Sequence, residues 1–404
     1  MTLRNRRCLY ILRVLALAIG LVLPFVACSK KNDAPTKTSA PPVDESDIAG
    51  TNPKNPPSPF ESTEPKKKPT GDRPHHGPST VFTFIQPDRV HQNPGEAKKV
   101  KVNVVYLRGN QALKISGLDF QILGNGSRNS LECPYEMTSV TVRARLENDF
   151  YKISGAYRAY AIQFNASCGS EYTLYFNEAT AGGQVISIVE TVERTMARLD
   201  SEIGLKFWND RVIINYPARS NYYALGEVNV TSGSKYEAVA HELGHAVYDM
   251  GLIGRSEAGA GTQSSVTEKT GSKIHRIDQC YNEEFAFSEG WATFFAGWLY
   301  LDLNNPDAHF TQIVPRRSPI QIENVPSDVC PGPKNEWRVA AFFWDLIDSQ
   351  NDGETAQFEF SQLWKAMSLK EARDTRSAAI ELINDGLDAN SIRAAYKLNF
   401  NVEL

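Results

Sequence analysis

The chain has 404 residues, of which 41% are hydrophobic, 10% aromatic and 22% charged. This composition excludes a wholly disordered, collagen-like or polytopic membrane protein, and the length allows two domains or one large one. The formal net charge of -4 offers no basic surface, so no nucleic-acid partner is expected.

The first 27 residues have the organisation of a secretory signal peptide. Four arginines precede an uncharged apolar run, Val14 to Ala27, which is too short to span a bilayer. The run ends at Cys28, and this junction resembles a bacterial lipobox in which Cys28 becomes the lipidated N-terminus. Cleavage elsewhere, with an incidental cysteine, is the alternative. We therefore expect a lipid-anchored protein of the bacterial cell envelope, and Ser29 in place of aspartate favours the outer membrane.

Two segments of different character follow the signal peptide. Residues 28–78 are predicted to be a lipidated cysteine and a disordered tether, because residues 29–78 contain 11 of the chain's 22 prolines. Residues 79–180 contain short alternating runs, such as 100–107, 139–146 and 172–176, separated by turn-rich stretches. This pattern predicts an antiparallel β-sandwich that serves as an accessory or binding module.

The remaining segment, 181–404, is predicted to be a second domain of mixed helices and strands, mostly helical in its C-terminal part. Apolar residues follow one helical face over 184–199, and strands are indicated at Arg211–Tyr216 and Ala224–Val230. The fold class is therefore α+β. A Gly-, Ser- and Thr-rich stretch at Gly251–Lys273 predicts a mobile loop.

Four cysteines remain once those of the signal peptide and lipid anchor are set aside. An even number in an exported protein suggests two disulfides. Each proposed domain contains two of them, which favours Cys133–Cys168 and Cys280–Cys330; free buried thiols are the alternative.

A metal-binding motif, His241-Glu242-Leu243-Gly244-His245, lies in a predicted helix. Ser234 and Glu237 have the spacing of a capping box at its start, and Gly251 marks its end. Histidines four residues apart project from one helix face and can bind one zinc ion, while Glu242 lies beside it as a general base. Two surface histidines that make helix-face hydrogen bonds are the alternative.

The third ligand is expected on a second helical run, 282–301. Tyr248 and Gly251 stand where a metzincin has its later glycine and histidine, so that class is excluded. Glu289 shares a mostly apolar or small helix stripe with Phe285, Ala292 and neighbours. A carboxylate on such a stripe is costly to bury unless a cation holds it, so Glu289 is the predicted third ligand.

These motifs together resemble the gluzincin metallopeptidases. The sequence from Glu289 through Gly290 and Trp291 is most similar to the fungalysins, and thermolysin is more distant; the later run 336–345 is also similar to a fungalysin helix. The resemblance implies a two-lobed, zincin-like peptidase domain with one catalytic Zn²⁺ in its cleft. It implies the ligands His241, His245 and Glu289, with Glu242 as base.

The resemblance also implies that the strand Ala224–Val230 pairs with an extended substrate at a sheet edge. Thr293 occupies the position of a family aspartate that orients a zinc histidine, so Asp345 or another acid supplies that contact or zinc is held more weakly. Tyr281 is the first candidate for stabilising the oxyanion, with His309 and His275 as alternatives.

The expected function is that of an exported, lipid-anchored zinc metalloendopeptidase acting on proteins or peptides. Two other functions stay open from the sequence. One is a catalytically inactive zinc-fold lipoprotein that binds a partner, and the other is a zinc amidase acting on cell-wall peptides.

Overall fold

Strands occupy the first part of the described chain and helices most of the rest. The computed structural model describes residues 80–81, 84–88, 98–124, 131–155, 158–253, 275–313, 317–350, 353, 355–368, 370 and 372–404. These residues all belong to one compact unit, Pro57–Leu404. The predicted signal peptide, lipidated Cys28, the whole tether and most of the predicted loop after Gly251 lie outside them. The α+β class is confirmed.

Ten strands precede the first helix in the described residues. Eight of them form two four-stranded sheets, in the orders β1-β9-β6-β5 and β2-β10-β3-β4. Both sheets are mixed rather than purely antiparallel, since β1 pairs with β9 and β3 pairs with β10 in parallel. The bounds are β1 Thr80–Val81, β2 Phe84–Asp88, β3 Lys101–Arg108, β4 Gln111–Ile115, β5 Phe120–Ile122, β6 Ser139–Arg145, β7 Tyr151–Gly155, β8 Arg158–Ala159, β9 Ala161–Ser167 and β10 Glu171–Asn177.

The other strands of this region join a third sheet, which crosses the predicted domain boundary at residue 180. Its order is β12-β13-β11-β7-β8, with β11 at Val212–Asn215, β12 at Tyr222–Ala224 and β13 at Glu227–Asn229. One hydrophobic core extends from Val100 to Phe400. The two segments thus share a sheet and a core, and their division into an accessory module and a two-lobed peptidase domain stays a prediction.

Seven α-helices lie in the described residues, and the third contains the largest number of buried residues. The sequence around Trp291 and Trp298 is apolar on nearly every face, which is typical of a helix enclosed by other elements. Within the described residues, no helix combines the length and apolarity needed to cross a membrane. The bounds are α1 Ala181–Glu202, α2 Tyr236–Tyr248, α3 Glu283–Tyr300, α4 Glu336–Asp345, α5 Phe360–Met367, α6 Thr375–Asn384 and α7 Ala389–Phe400, with the hairpin β14 His309–Phe310 and β15 Ile320–Gln321 between α3 and α4.

The start of α2 differs from the prediction. The residue before the helix is Lys235, and no side chain caps the helix there. The Ser234 hydroxyl pairs with that of Ser232, and the Glu237 carboxylate accepts hydrogen bonds from the backbone of the β14 region, including Gln312 N at 2.6 Å. The predicted capping box was wrong because Glu237 has a tertiary partner. After Tyr248 the chain continues as a π-helical turn, Asp249–Ile253.

Both predicted disulfides are confirmed. Cys133 is bonded to Cys168, with their Cα atoms 5.9 Å apart, and Cys280 is bonded to Cys330, with a Cα separation of 5.5 Å. The first bridge joins two loops of the strand-rich region. The second joins the segment entering α3 to the segment entering α4.

Candidate metal centre

Helices α2 and α3 approach each other closely at Gly244. A Cβ atom at this position would lie 2.9 Å from the Cα of Ala292 and 3.1 Å from its carbonyl oxygen. Contacts this short with a rigid backbone exclude any side chain. Glycine therefore lets the backbones meet, and the helix face with the two histidines lies directly against α3.

Three predicted ligands meet between these helices. One oxygen of Glu289, Oε2, lies 3.2 Å from Nε2 of His241 and 3.2 Å from Nε2 of His245. The ligand atoms all lie within 4.8 Å of one another, so this group could hold a metal ion. Two imidazoles and one carboxylate are a donor set that proteins use to bind divalent metal ions.

Electrostatics in the centre reflect burial and mutual contact. Burial raises the pKa of Glu242, although His241 and His245 oppose the shift, and the side chain is only 6% exposed. Burial also works against the charged form of His245, yet Glu289 raises the pKa of His245 above its ordinary value. Although burial opposes it, His275 and His245 hold the pKa of Glu289 well below its usual range. In the metal-free protein, Glu289 and the histidines therefore stabilise each other's charged forms.

Two hydroxyl groups contact the outer nitrogens of the histidines. Thr293 Oγ1 lies 3.2 Å from Nδ1 of His241, and Ser288 Oγ lies 3.3 Å from Nδ1 of His245. Such contacts set the tautomer and orientation of a histidine ligand. Asp345, considered as a substitute for the missing acid, accepts a hydrogen bond from Asn399 at 2.6 Å. The Thr293 hydroxyl itself therefore occupies the position beside His241.

The three oxyanion candidates have different surroundings. The Tyr281 hydroxyl accepts a hydrogen bond of 2.8 Å from the backbone N–H of Arg276. His309 lies on β14, with its Nδ1 2.6 Å from the carbonyl oxygen of Asp307. His275 contacts a ligand of the centre, its Nε2 being 3.6 Å from Oε2 of Glu289. Tyr281 instead borders His275, with ring centroids 6.4 Å apart.

Two residues near the centre were missed by the sequence analysis. Ser288 precedes Glu289 and had no pattern of its own. Glu336 lies 2.9 Å from Nδ1 of His275 and begins helix α4, a position where acidic residues are common for electrostatic reasons alone. Its sequence therefore contained no signal of a site.

The sheet edge beside the centre is a different strand from the expected one. The middle of the predicted segment Ala224–Val230 forms β13, which is enclosed between β12 and β11. Leu225 and Gly226 both have positive φ, at 50° and 84°, and form a tight turn that folds β12 back on β13. The edge is therefore Tyr222–Ala224, and the Tyr223 ring is nearly parallel to that of His245, at a centroid distance of 6.3 Å.

Comparison with known proteins leaves the function to be argued from this geometry. The chain matches no protein-family model, and no curated protein matches it significantly. The resemblance to gluzincins therefore depends on the short motifs around His241 and Glu289.

Proposed function

We propose that this protein is a zinc-dependent metallopeptidase that hydrolyses peptide bonds. The observation that supports the proposal is the approach of one Glu289 oxygen to within 3.2 Å of Nε2 in both His241 and His245. Glu289 lies on a different helix from the histidines, 48 positions after His241 and 44 after His245. The tertiary fold therefore brings the three residues together. Zn²⁺ is the ion that this mixed imidazole and carboxylate set suits best.

Each residue has a chemical role in this proposal. A bound zinc ion supplies Lewis acidity and lowers the pKa of a water molecule. Glu242 accepts the proton of the attacking water and delivers it to the leaving amine. Its raised pKa favours the first step, because a carboxylate with a higher pKa accepts a proton more readily. Thr293 and Ser288 orient the two histidines.

The oxyanion side of the site is assigned to His275 rather than to the predicted Tyr281. His275 lies against Glu289, whereas the Tyr281 hydroxyl is engaged with the Arg276 backbone. An extended substrate would pair with the edge strand β12, since an edge strand presents unpaired backbone groups to a peptide.

Export and lipid anchoring through Cys28 to the bacterial outer membrane remain part of the proposal. The signal-peptide pattern supports it, and so do the two disulfides, because such bonds persist in oxidising compartments. A protein or peptide of the cell envelope or its surroundings would then be the substrate.

The experiment compares the purified full chain with Glu242→Gln. Metal content is measured by mass spectrometry, and cleavage of casein and of a peptide library is followed. We expect bound zinc in both proteins and a loss of activity of about 10²-fold or more in the variant, the range typical for removing a general base. Glu283→Gln, at the start of α3, is the matched control and should retain activity. Metal-free protein, or unchanged cleavage by the Glu242 variant, would contradict the proposal.

The same experiment separates the alternatives. Retained zinc without cleavage of any peptide favours the inactive zinc-fold binding lipoprotein. Cleavage of muropeptides, detected by mass analysis, in the absence of proteolysis favours the cell-wall amidase.

A further inference from the structure

A second group of possible metal ligands adjoins the first. His275, Glu289 and Glu336 also place their ligand atoms within 4.8 Å of one another. Nδ1 of His275 lies 2.9 Å from Oε2 of Glu336, and Nε2 of His275 lies 3.6 Å from Oε2 of Glu289. The imidazole is thus located between two carboxylates, one of which belongs to the first centre.

The contacts in this group are short and largely buried. Glu336 is only 2% exposed, and its Oε2 lies 2.9 Å from Nδ1 of His275. The 3.6 Å separation between Nε2 of His275 and Oε2 of Glu289 is too long for a hydrogen bond. In the metal-free protein a protonated imidazole neutralises part of the carboxylate charge. A divalent cation that displaces the proton would take over this role, because a histidine ligand must be neutral.

The protein backbone holds this group in place. A Cβ atom at Gly290 would lie 2.7 Å from the carbonyl oxygen of Glu336 and 2.5 Å from the Cβ of Val339. Glycine next to Glu289 therefore lets the start of α4 lie against α3. The Asn335 amide, at the start of α4, donates hydrogen bonds to the carbonyls of Ile277 (2.8 Å) and Gln279 (2.9 Å). These bonds hold the segment after His275 against α4.

The charge of the region also permits a second cation. Glu242, Glu289 and Glu336 bring three carboxylates into one largely buried region. One divalent ion neutralises two of these negative charges. The third is balanced by protonated His275, or by a second cation that replaces this proton, since an unpaired buried carboxylate is strongly unfavourable.

We propose that His275, Glu336 and Glu289 bind a second divalent cation, with Glu289 bridging the two ions. One imidazole and two carboxylates suit Zn²⁺, Co²⁺ or Mn²⁺. In two-metal sites the ions lie about 3.5–4 Å apart and polarise the same substrate. With His275 bound to it, the second ion, rather than the imidazole itself, would stabilise the oxyanion in the proposed hydrolase. The inference goes beyond the proposed function, and metal counting tests it whether or not the protein cleaves peptides.

The test is metal stoichiometry in the full chain. Metal-free protein is loaded with excess Co²⁺, passed over a desalting column and analysed by mass spectrometry. We expect two ions per chain in the wild type and one in His275→Gln and in Glu336→Gln. His309→Gln, which removes a histidine with local contacts only, is the matched control and should keep two ions. One ion in the wild type, or two ions in both His275 and Glu336 variants, overturns the second site.

A measurement on the unmodified protein keeps the inference testable if the variants fold poorly. Two Co²⁺ ions bridged by one carboxylate couple magnetically, so the electron paramagnetic resonance signal per ion should fall between one and two equivalents. A signal that grows in proportion up to two equivalents, or that stops growing at one, contradicts the inference. Two bound ions without peptide cleavage would support the second metal site and contradict only the peptidase proposal.

Discussion

The Thr293 hydroxyl lies 3.2 Å from Nδ1 of His241, where the family that this chain resembles has an aspartate. A neutral hydroxyl raises the basicity of a histidine ligand less than a carboxylate does. In the proposed metal centre, we therefore expect Thr293 to tune the affinity for the ion without being one of its ligands.

Metal affinity should respond to this contact in both directions. We expect Thr293→Val to weaken binding of Zn²⁺ about 10-fold and Thr293→Asp to strengthen it, within the 10–100-fold range typical of such outer contacts. Competition with a chromophoric chelator measures the change. Thr195→Val is the control, because the Thr195 hydroxyl donates a hydrogen bond to the Thr191 carbonyl oxygen within helix α1. Equal affinity in all four proteins would disprove the role of Thr293.

Close packing of α2 and α3 predicts a steric effect at Gly244. The Gly244→Ala substitution would place a methyl group 2.9 Å from the Cα of Ala292, so we expect a loss of about 1–3 kcal/mol in the free energy of unfolding and weaker metal binding. Urea denaturation of the metal-free protein measures the first effect.

Gly297→Ala provides the matched control on helix α3. Its nearest neighbour is the end of the flexible Ile322 side chain, at 3.0 Å, so the structure can adjust. A loss at Gly297 as large as that at Gly244 would show that close helix contact is not the cause.

The two disulfides should differ in their effect on the centre. Replacing Cys280 and Cys330 by serine should lower the free energy of unfolding by about 2–5 kcal/mol. It should also reduce metal occupancy, because this bridge joins the segments entering α3 and α4. Replacing Cys133 and Cys168 should cost comparable stability and leave occupancy unchanged. Thermal melts and metal analysis of both double variants test this, and equal occupancy would refute the link.

In the metal-free protein, the stability should depend on pH through His275. Burial opposes its charged form, but Glu336 and Glu289 raise the pKa of His275 from 6.5 to about 10. A folded-state pKa above the unfolded value stabilises the fold fully below about pH 6.5, and this stabilisation is lost as the pH rises through about 10. With chelator present, the melting temperature of the wild type should therefore fall more between pH 6.5 and 10 than that of His275→Gln. Parallel curves would exclude this contribution.

Local sequence patterns were sufficient to predict the arrangement of candidate site residues that lie on one helix. His241, Glu242 and His245 lie on one helix, whose geometry places the histidines on one face. Glu289 was also predictable, because a lone acid on an apolar helix stripe needs a positive partner. The prediction that Ala224–Val230 forms the edge strand was wrong. Leu225 and Gly226 form a turn that places β12 beside β13, so β12 becomes the edge.

Patterns along the chain were sufficient to predict the motif histidines from helix periodicity, the α+β class from element order, and the pairing of four cysteines from their division between two segments. Tertiary structure alone decided that Glu237 bonds to the β14 region instead of capping its helix, that Thr293 contacts His241, and that Glu336 lies beside His275. The physical reason is that each such partner comes from a distant segment. Glycines let the helices approach closely and bring these segments together. Because the segments are far apart in the chain, no local sequence pattern indicates the contact.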